Sequence, residues 1–211
     1  MKDQLLNKSR KPEWVISKEK QLEKNLPRRV WLYGIHAVRD AIKNQDRVKH
    51  KLMLTENAHK KIRNFLTTSS LFPEILHPRK FLPPLEINAV HQGAALEVSP
   101  LNWGSISEVC APHNDNKLVL LLDRVTDPQN VGAILRSAEV FGATAVATAA
   151  RYSAPETGAL AKAASGSLER QPYLRVPNLA RAILSLKQMG YFCIGLDSSS
   201  NVDIADGLEK I

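Results

Sequence analysis

The chain has 211 residues, 44% of them hydrophobic and 24% charged, the proportions of a globular protein with one large or two small domains. A formal charge of +8 favours a polyanionic partner, and no apolar run approaches the roughly 20 residues that span a bilayer, so a membrane-spanning helix is excluded. Cys110 and Cys193 stand in no CxxC arrangement, and no zinc-ligand spacing joins them to the histidines, which predicts reduced thiols in a reducing cytoplasm and no metal site.

Residues 1–29 carry nine Lys and Arg against four Asp and Glu, and Trp14, Val15 and Ile16 form their one apolar cluster. The segment lacks the apolar core of a secretory signal, and its acids argue against a transit peptide. It reads as a disordered basic arm, serving either as an RNA-phosphate tether or as a solvated tail. A small α/β domain is expected over residues 30–98. Trp31 to Gly34 leads into a helix with Ile35, Val38 and Ile42 on one face, and Lys51 to Thr55 reads as a strand. Asn57 to Leu66 reads as a helix, Ile75-Leu76 as a short strand, Pro83-Pro84 as a break and Ala94 to Val98 as a closing strand. Residues 99–116, with Pro100, Gly104, Pro112, Asn114 and Asn116, read as a linker in which Ile106 to Cys110 forms one helical turn.

A parallel-sheet domain is expected over 117–211. Val119 to Leu122 is an unbroken apolar run, which suits a strand buried on both faces. Asp127-Pro128 has the form of a helix start, Val131, Ile134, Leu135, Ala138 and Phe141 fill one helical face, and Gly142 is a stop. Gly132 and Arg136 share another face of that helix, over which Gly132 leaves room. Asn130 stands at the carboxyl end of the strand, where open parallel sheets bind ligands. By themselves these residues equally describe a capped helix with an arginine in solvent. Further strands are expected at Ala145 to Thr148, Leu174 to Val176 and, fully buried, Tyr191 to Leu196, with helices over Thr157 to Ala164 and from the Asn178 cap to Gly190.

The run D-R-V-T-D-P-Q-N-V-G-A-I-L-R-S-A-E-V-F-G, Asp123 to Gly142, resembles the first signature motif of the SpoU (TrmH-like) family of RNA ribose 2′-O-methyltransferases, members of the trefoil-knot superfamily. The resemblance implies methyl transfer from S-adenosylmethionine to a ribose hydroxyl of RNA, with Asn130 and Arg136 catalytic and Asn130 orienting Arg136 or the ribose. Y-G-I-H-A-V-R-D-A-I and H-Q-G-A-A-L-E-V resemble the N-terminal substrate-binding domain of bacterial 23S rRNA guanosine 2′-O-methyltransferases. That likeness assigns Gly34, His36, Arg39, His91 and Gln92 to RNA contact, although His36 and His91 equally serve for packing and capping. K-A-A-S-G-S-L-E resembles a further family stretch and puts Ser165, Gly166 and Glu169 on the substrate groove, where a plain helix-to-strand connection uses the same small residues. Leu196 matches a position against the cofactor's adenosine.

The resemblance also implies a homodimer. The family's second and third motifs, a Gly-x-Glu-Gly-like loop and a Ser-Leu-Asn-x-Ser-like loop, are not in this sequence. Roughly 60 knot-forming residues are therefore expected to be missing relative to the family, either because the sequence is a fragment or because the gene is truncated, judged from the resemblance and from the two strands that a complete parallel sheet still needs. The fold class expected is thus a small RNA-binding α/β domain followed by a Rossmann-like methyltransferase domain without its knot-forming part, and the 211 residues alone are expected to bind the cofactor weakly. The alternative is a non-catalytic RNA- or ribosome-binding protein with a degenerate methyltransferase half. A nicotinamide dehydrogenase is disfavoured, because the first strand-to-helix turn has no G-x-G-x-x-G to admit a pyrophosphate.

Overall fold

The computed structural model describes residues 29–66, 71–111, 118–197 and 199–208. The basic arm before Arg29, linker residues Pro112, Asn114 and Asn116, and Ser198 lie outside them.

Strand β1 (Val30–Tyr33) passes through Gly34, at φ 93°, into helix α1 (Ile35–Lys43). Strand β2 (Lys49–Thr55) runs into α2 (Glu56–Ile62), whose first turn is capped by the Thr55 hydroxyl, and β3 (Pro73–Leu76) and β4 (Ala94–Val98) follow. The sheet order is β1-β4-β2-β3, with β4 antiparallel to both neighbours and β3 parallel to β2. Pro73 is tolerated because β3 is an edge strand. Leu32, Leu52, Leu54 and Leu96 project to the face that α1 and α2 cover with Val38, Ile42 and Ile62. Met53 and Ala95 point the other way, against Phe81.

After the short helix α3 (Ile106–Val109), strands β5 (Val119–Leu122), β6 (Ala145–Ala149) and β7 (Tyr173–Val176) form a parallel sheet in sequence order. Helices α4 (Pro128–Val140), α5 (Gly158–Ala164), α6 (Leu179–Gln188) and α7 (Ile204–Leu208) complete the chain. Asp127 accepts from the Gln129 amide at 2.9 Å, so the expected carboxylate-proline start of α4 is realised. Period-2 alternation along β6 sends Val146 to one face, toward Val131 and Leu135 of α4, and Ala145 and Ala147 to the other, toward Ala182 and Leu186 of α6. None of the described helices is long and apolar enough to cross a membrane.

Two expectations fail. Val119 to Leu122 is only half-buried along its length, since β5 is an edge strand paired with β6 alone among the described residues. Tyr191 to Leu196 forms no strand. Phe192 is 68% and Leu196 77% exposed, for the run joins no sheet edge and nothing described covers it. Apolar character alone does not make a strand without an edge to pair with and a layer to pack on.

The two halves share one hydrophobic core. Leu32, Val38 and Leu96 of the first sit in the same buried cluster as Leu135, Leu160 and Leu168 of the second. The contact is made by α5 against β1. A Cβ on Gly158 would lie 2.4 Å from the Trp31 carbonyl oxygen and equally close to the Tyr33 ring, so the absence of a side chain there sets the approach.

Candidate active site

Arg136 lies on the exposed side of α4, and its Nη1 donates to the Ala163 carbonyl at 2.6 Å. That carbonyl belongs to the last turn of α5, where partial negative charge favours a cation. The geometry depends on Gly132, one turn earlier. A Cβ there would be 2.5 Å from the Ala163 Cβ, 2.7 Å from the Ala163 carbonyl carbon and 2.8 Å from the Ala164 nitrogen. The room over Gly132 is therefore filled by α5 itself rather than open to a ligand, which corrects the sequence expectation.

Gly132→Ala should be destabilising despite alanine's better helix propensity. The propensity gain is about 1 kcal/mol, whereas overpacking against backbone costs about 1–3 kcal/mol, with Arg136 losing its carbonyl partner as α5 moves away. Urea denaturation should show a net loss, and a variant more stable than the parent would contradict the packing account.

Asn130 is exposed in the first turn of α4. Among the described residues no hydrogen bond joins it to Arg136. Six residues on a helix put the two about 9 Å apart along the axis and roughly a third of a turn around it. The α5 carbonyl, rather than Asn130, orients Arg136.

Of the other expected site residues, His36 is exposed at the start of α1, and Arg39 donates to Asp40 at 2.6 Å. Gln92, at φ 54°, uses its side-chain oxygen to accept from the Ile35 amide at 3.0 Å, tying the β4 approach to the start of α1. His91 accepts from the Gly93 amide at 3.0 Å and packs its ring on Phe81 at 4.8 Å between centroids, the packing-and-capping role. Gly34 sits where these meet, with Gln92 and Lys162 both 3.6 Å from the position a Cβ would take. Ser165 is the exposed left-handed cap of α5. Leu196 lies in an open hollow with Ile194, Gly195, Asp197 and Val202, and Tyr191 anchors the start of that segment by donating to the Cys110 carbonyl at 3.0 Å.

Glu169 lines an open hollow with Arg39, Asp40, Lys43, Asn44 and Arg170, but its carboxylate is engaged within the fold. It is buried and receives Arg47 in a two-pronged contact, Nε to Oε2 at 3.0 Å and Nη2 to Oε1 at 2.6 Å. The Arg47 side chain is wholly buried, also pairs with Glu156, and donates to the Ser99 carbonyl at 3.0 Å. Asn44 adds a bond to Glu169 at 2.9 Å, and Glu156 accepts from the Leu101 amide at 3.1 Å. Burial would lower the Arg47 pKa, but the two carboxylates hold it above the ordinary arginine value. Burial also pushes the Glu156 carboxyl up, with Arg47 only partly opposing the shift.

Alongside, Arg170 donates to Asp40 at 2.9 Å and pairs with Glu139 of α4. Burial would raise the Asp40 pKa, yet hydrogen bonds from Arg39 and Arg170 bring it below the usual carboxylate range. Gly166, at φ 97°, is fitted against Asp40, where a Cβ would come within 2.0 Å of Oδ2. The S-G-S-L-E stretch is thus a docking element for α1. Arg47 carries no local sequence signal, because it sits in a polar turn and its partners lie 109 and 122 residues away.

Taken together, a parallel sheet with a polar first turn, an arginine held at a helix end and a four-stranded module fused to it define a two-module α/β fold. The SpoU rRNA methylase family model matches residues 117–208, and the RNA 2′-O ribose methyltransferase substrate-binding model matches residues 31–104. The chain belongs to the SpoU family. It is 34% identical over 180 residues to the 23S rRNA (guanosine-2′-O-)-methyltransferase RlmB of Vibrio vulnificus, covering 82% of this chain and 72% of the relative. Identity reaches 39% over 129 residues with the RlmB of Vibrio cholerae, covering 60% of this chain and 52% of that protein. Among solved structures, the SpoU methyltransferase AviRb from Streptomyces viridochromogenes in complex with AdoMet aligns with a TM-score of 0.60 at 21% identity, over 81% of this chain and 63% of that one. An AdoMet-bound rRNA methyltransferase from Sinorhizobium meliloti aligns with a TM-score of 0.58 at 17% identity, over 82% and 62% of the two chains. These structural likenesses establish the fold, and the chain spans a little under two thirds of their length.

Proposed function

We propose that this protein transfers a methyl group from S-adenosylmethionine to a ribose 2′-hydroxyl of RNA, with a 23S rRNA guanosine as the target. The supporting observation is that both family models match in one chain whose motif arginine, Arg136, is presented on an exposed face. The non-catalytic alternative has no observation in its favour that the enzymatic reading lacks.

When bound, S-adenosylmethionine supplies an electrophilic methyl carried on a sulfonium. The hollow around Leu196 suits its adenosine, since Ile194, Leu196 and Val202 offer apolar contact and Asp197 and Asp203 offer acceptors. Arg136 is permanently protonated, so it serves as a fixed positive charge rather than as a base. With one donor held by Ala163, the rest of the guanidinium fork is left for the ribose hydroxyl or its phosphate, where its charge would stabilise the oxygen as it gives its proton to solvent and forms the O–C bond while the S–C bond breaks. Asn130 holds the ribose from the first turn of the same helix. His36 and Arg39 present the RNA from α1, Gly34 sets the turn into that helix, and Ser165 borders the groove.

The same reading carries a homodimer, membership of the trefoil-knot superfamily, and a cytoplasmic location with rRNA. For the dimer, Phe141, 74% exposed, shares an apolar hollow with Leu118, Leu120 and Ile134, of the kind a second copy covers.

Incubation with methyl-labelled S-adenosylmethionine and a 23S rRNA transcript should put label on a ribose, recovered as an alkali-resistant dinucleotide. Label on a base rather than on a ribose would refute the assignment.

A further inference from the structure

We propose that Lys162 is an RNA-contacting residue, gripping a substrate phosphate at the seam between the two modules. The inference rests on the RNA-methylating reading above and adds a residue to it. The seam is rich in cations, but most are neutralised within the fold. Arg47 is paired with Glu156 and Glu169, Arg170 with Glu139 and Asp40, and Arg39 with Asp40.

Lys162 differs from them. Among the described residues its ammonium has no carboxylate within ion-pairing distance and no hydrogen bond. Its stem is nevertheless placed, for Cγ and Cδ lie 3.6 and 3.9 Å from the Cβ position of Gly34 at the start of α1. The aliphatic carbons thus cover the other module while the charged head stays in water.

The next residue, Ala163, carries the carbonyl that holds Arg136. Lys162 thus meets the start of α1 at Gly34 and is the chain neighbour of the residue that holds the motif arginine, while the buried Arg47 network ties the two modules together. A compact point charge on a placed stem suits one phosphate oxygen, whereas a planar fork such as Arg136 suits directed hydrogen bonds. A polyanionic strand crossing from the substrate-binding module to the ribose site passes this ammonium.

The test is the salt dependence of binding to a 23S rRNA transcript, read by fluorescence anisotropy from low to moderate KCl. Lys162→Gln keeps the stem over Gly34 and removes only the charge. Its slope of log affinity against log salt should fall by about 0.7–0.9 relative to the parent, the release of one counterion. Lys162→Arg should keep the parental slope, as should Lys187→Gln on α6, which covers the opposite face of the sheet. An unchanged slope for Lys162→Gln beside a salt-dependent parent would overturn this inference alone. A parent that binds no RNA, or binds it without salt dependence, would overturn both this inference and the reading it rests on.

Discussion

Replacing Arg47 with methionine should remove about 3–5 kcal/mol of folding stability, the usual cost of withdrawing one partner from a buried ionic cluster. Against a typical total of about 5–15 kcal/mol, that places the variant near its unfolding threshold. The loss comes chiefly from what remains. Among the described residues Glu169 is buried and left with the Asn44 hydrogen bond, and Glu156 with that of the Leu101 amide. Removing the acids as well, in Arg47→Met with Glu156→Leu and Glu169→Leu, should recover much of the loss, because no unpaired charge is then left inside.

The pH dependence has a definite sign. Glu156 already binds its proton more tightly in the folded chain than in the unfolded one, and loss of Arg47 strengthens that preference. Protonation then favours the folded state, so the deficit of Arg47→Met should be largest at neutral pH and shrink as the pH falls into the carboxylate range. Denaturant titrations at several pH values check both points. A deficit under 1 kcal/mol at neutral pH would mean that Arg47 does not hold the modules together.

Arg136→Ala should abolish most methyl transfer while sparing the fold. Removal of one preorganised donor from a developing oxyanion typically costs about 10²–10³ in turnover. The stability cost should be near that of a single hydrogen bond, about 1 kcal/mol, because the side chain is exposed and its described bond is to Ala163. Arg136→Lys should fare little better. A lysine spans neither the carbonyl contact nor the fork geometry at once. Cofactor affinity should stay within a few-fold of the parent, which separates loss of chemistry from loss of binding. Turnover near the parental value in Arg136→Ala would remove Arg136 from the mechanism.

Much of this architecture was legible in the sequence because it is locally encoded. The Asp127-Pro128 start of α4, the Asn178 cap of α6 and the helical spacing of Ile35, Val38 and Ile42 in α1 each depend on neighbours a few residues away. The motif around Asn130 and Arg136 was legible through resemblance. What escaped depends on distant partners. Nothing near Arg47 announces Glu156 or Glu169, and nothing near Gly132 announces that α5 presses on it. The same holds for Tyr191 to Leu196, whose apolar residues promise a strand only if another segment supplies the edge. His91 and Gln92 show a related ambiguity, since the residues that resemble an RNA-contact motif are engaged in shaping the turn before β4.

The most direct test of an Arg136-centred ribose methyltransferase is a map of 2′-O-methylation across 23S rRNA in cells lacking the gene. The expected result is one missing mark, restored by the parental gene but not by the Arg136→Ala allele. An unchanged methylation map in the deletion strain, or full restoration by Arg136→Ala, would contradict it.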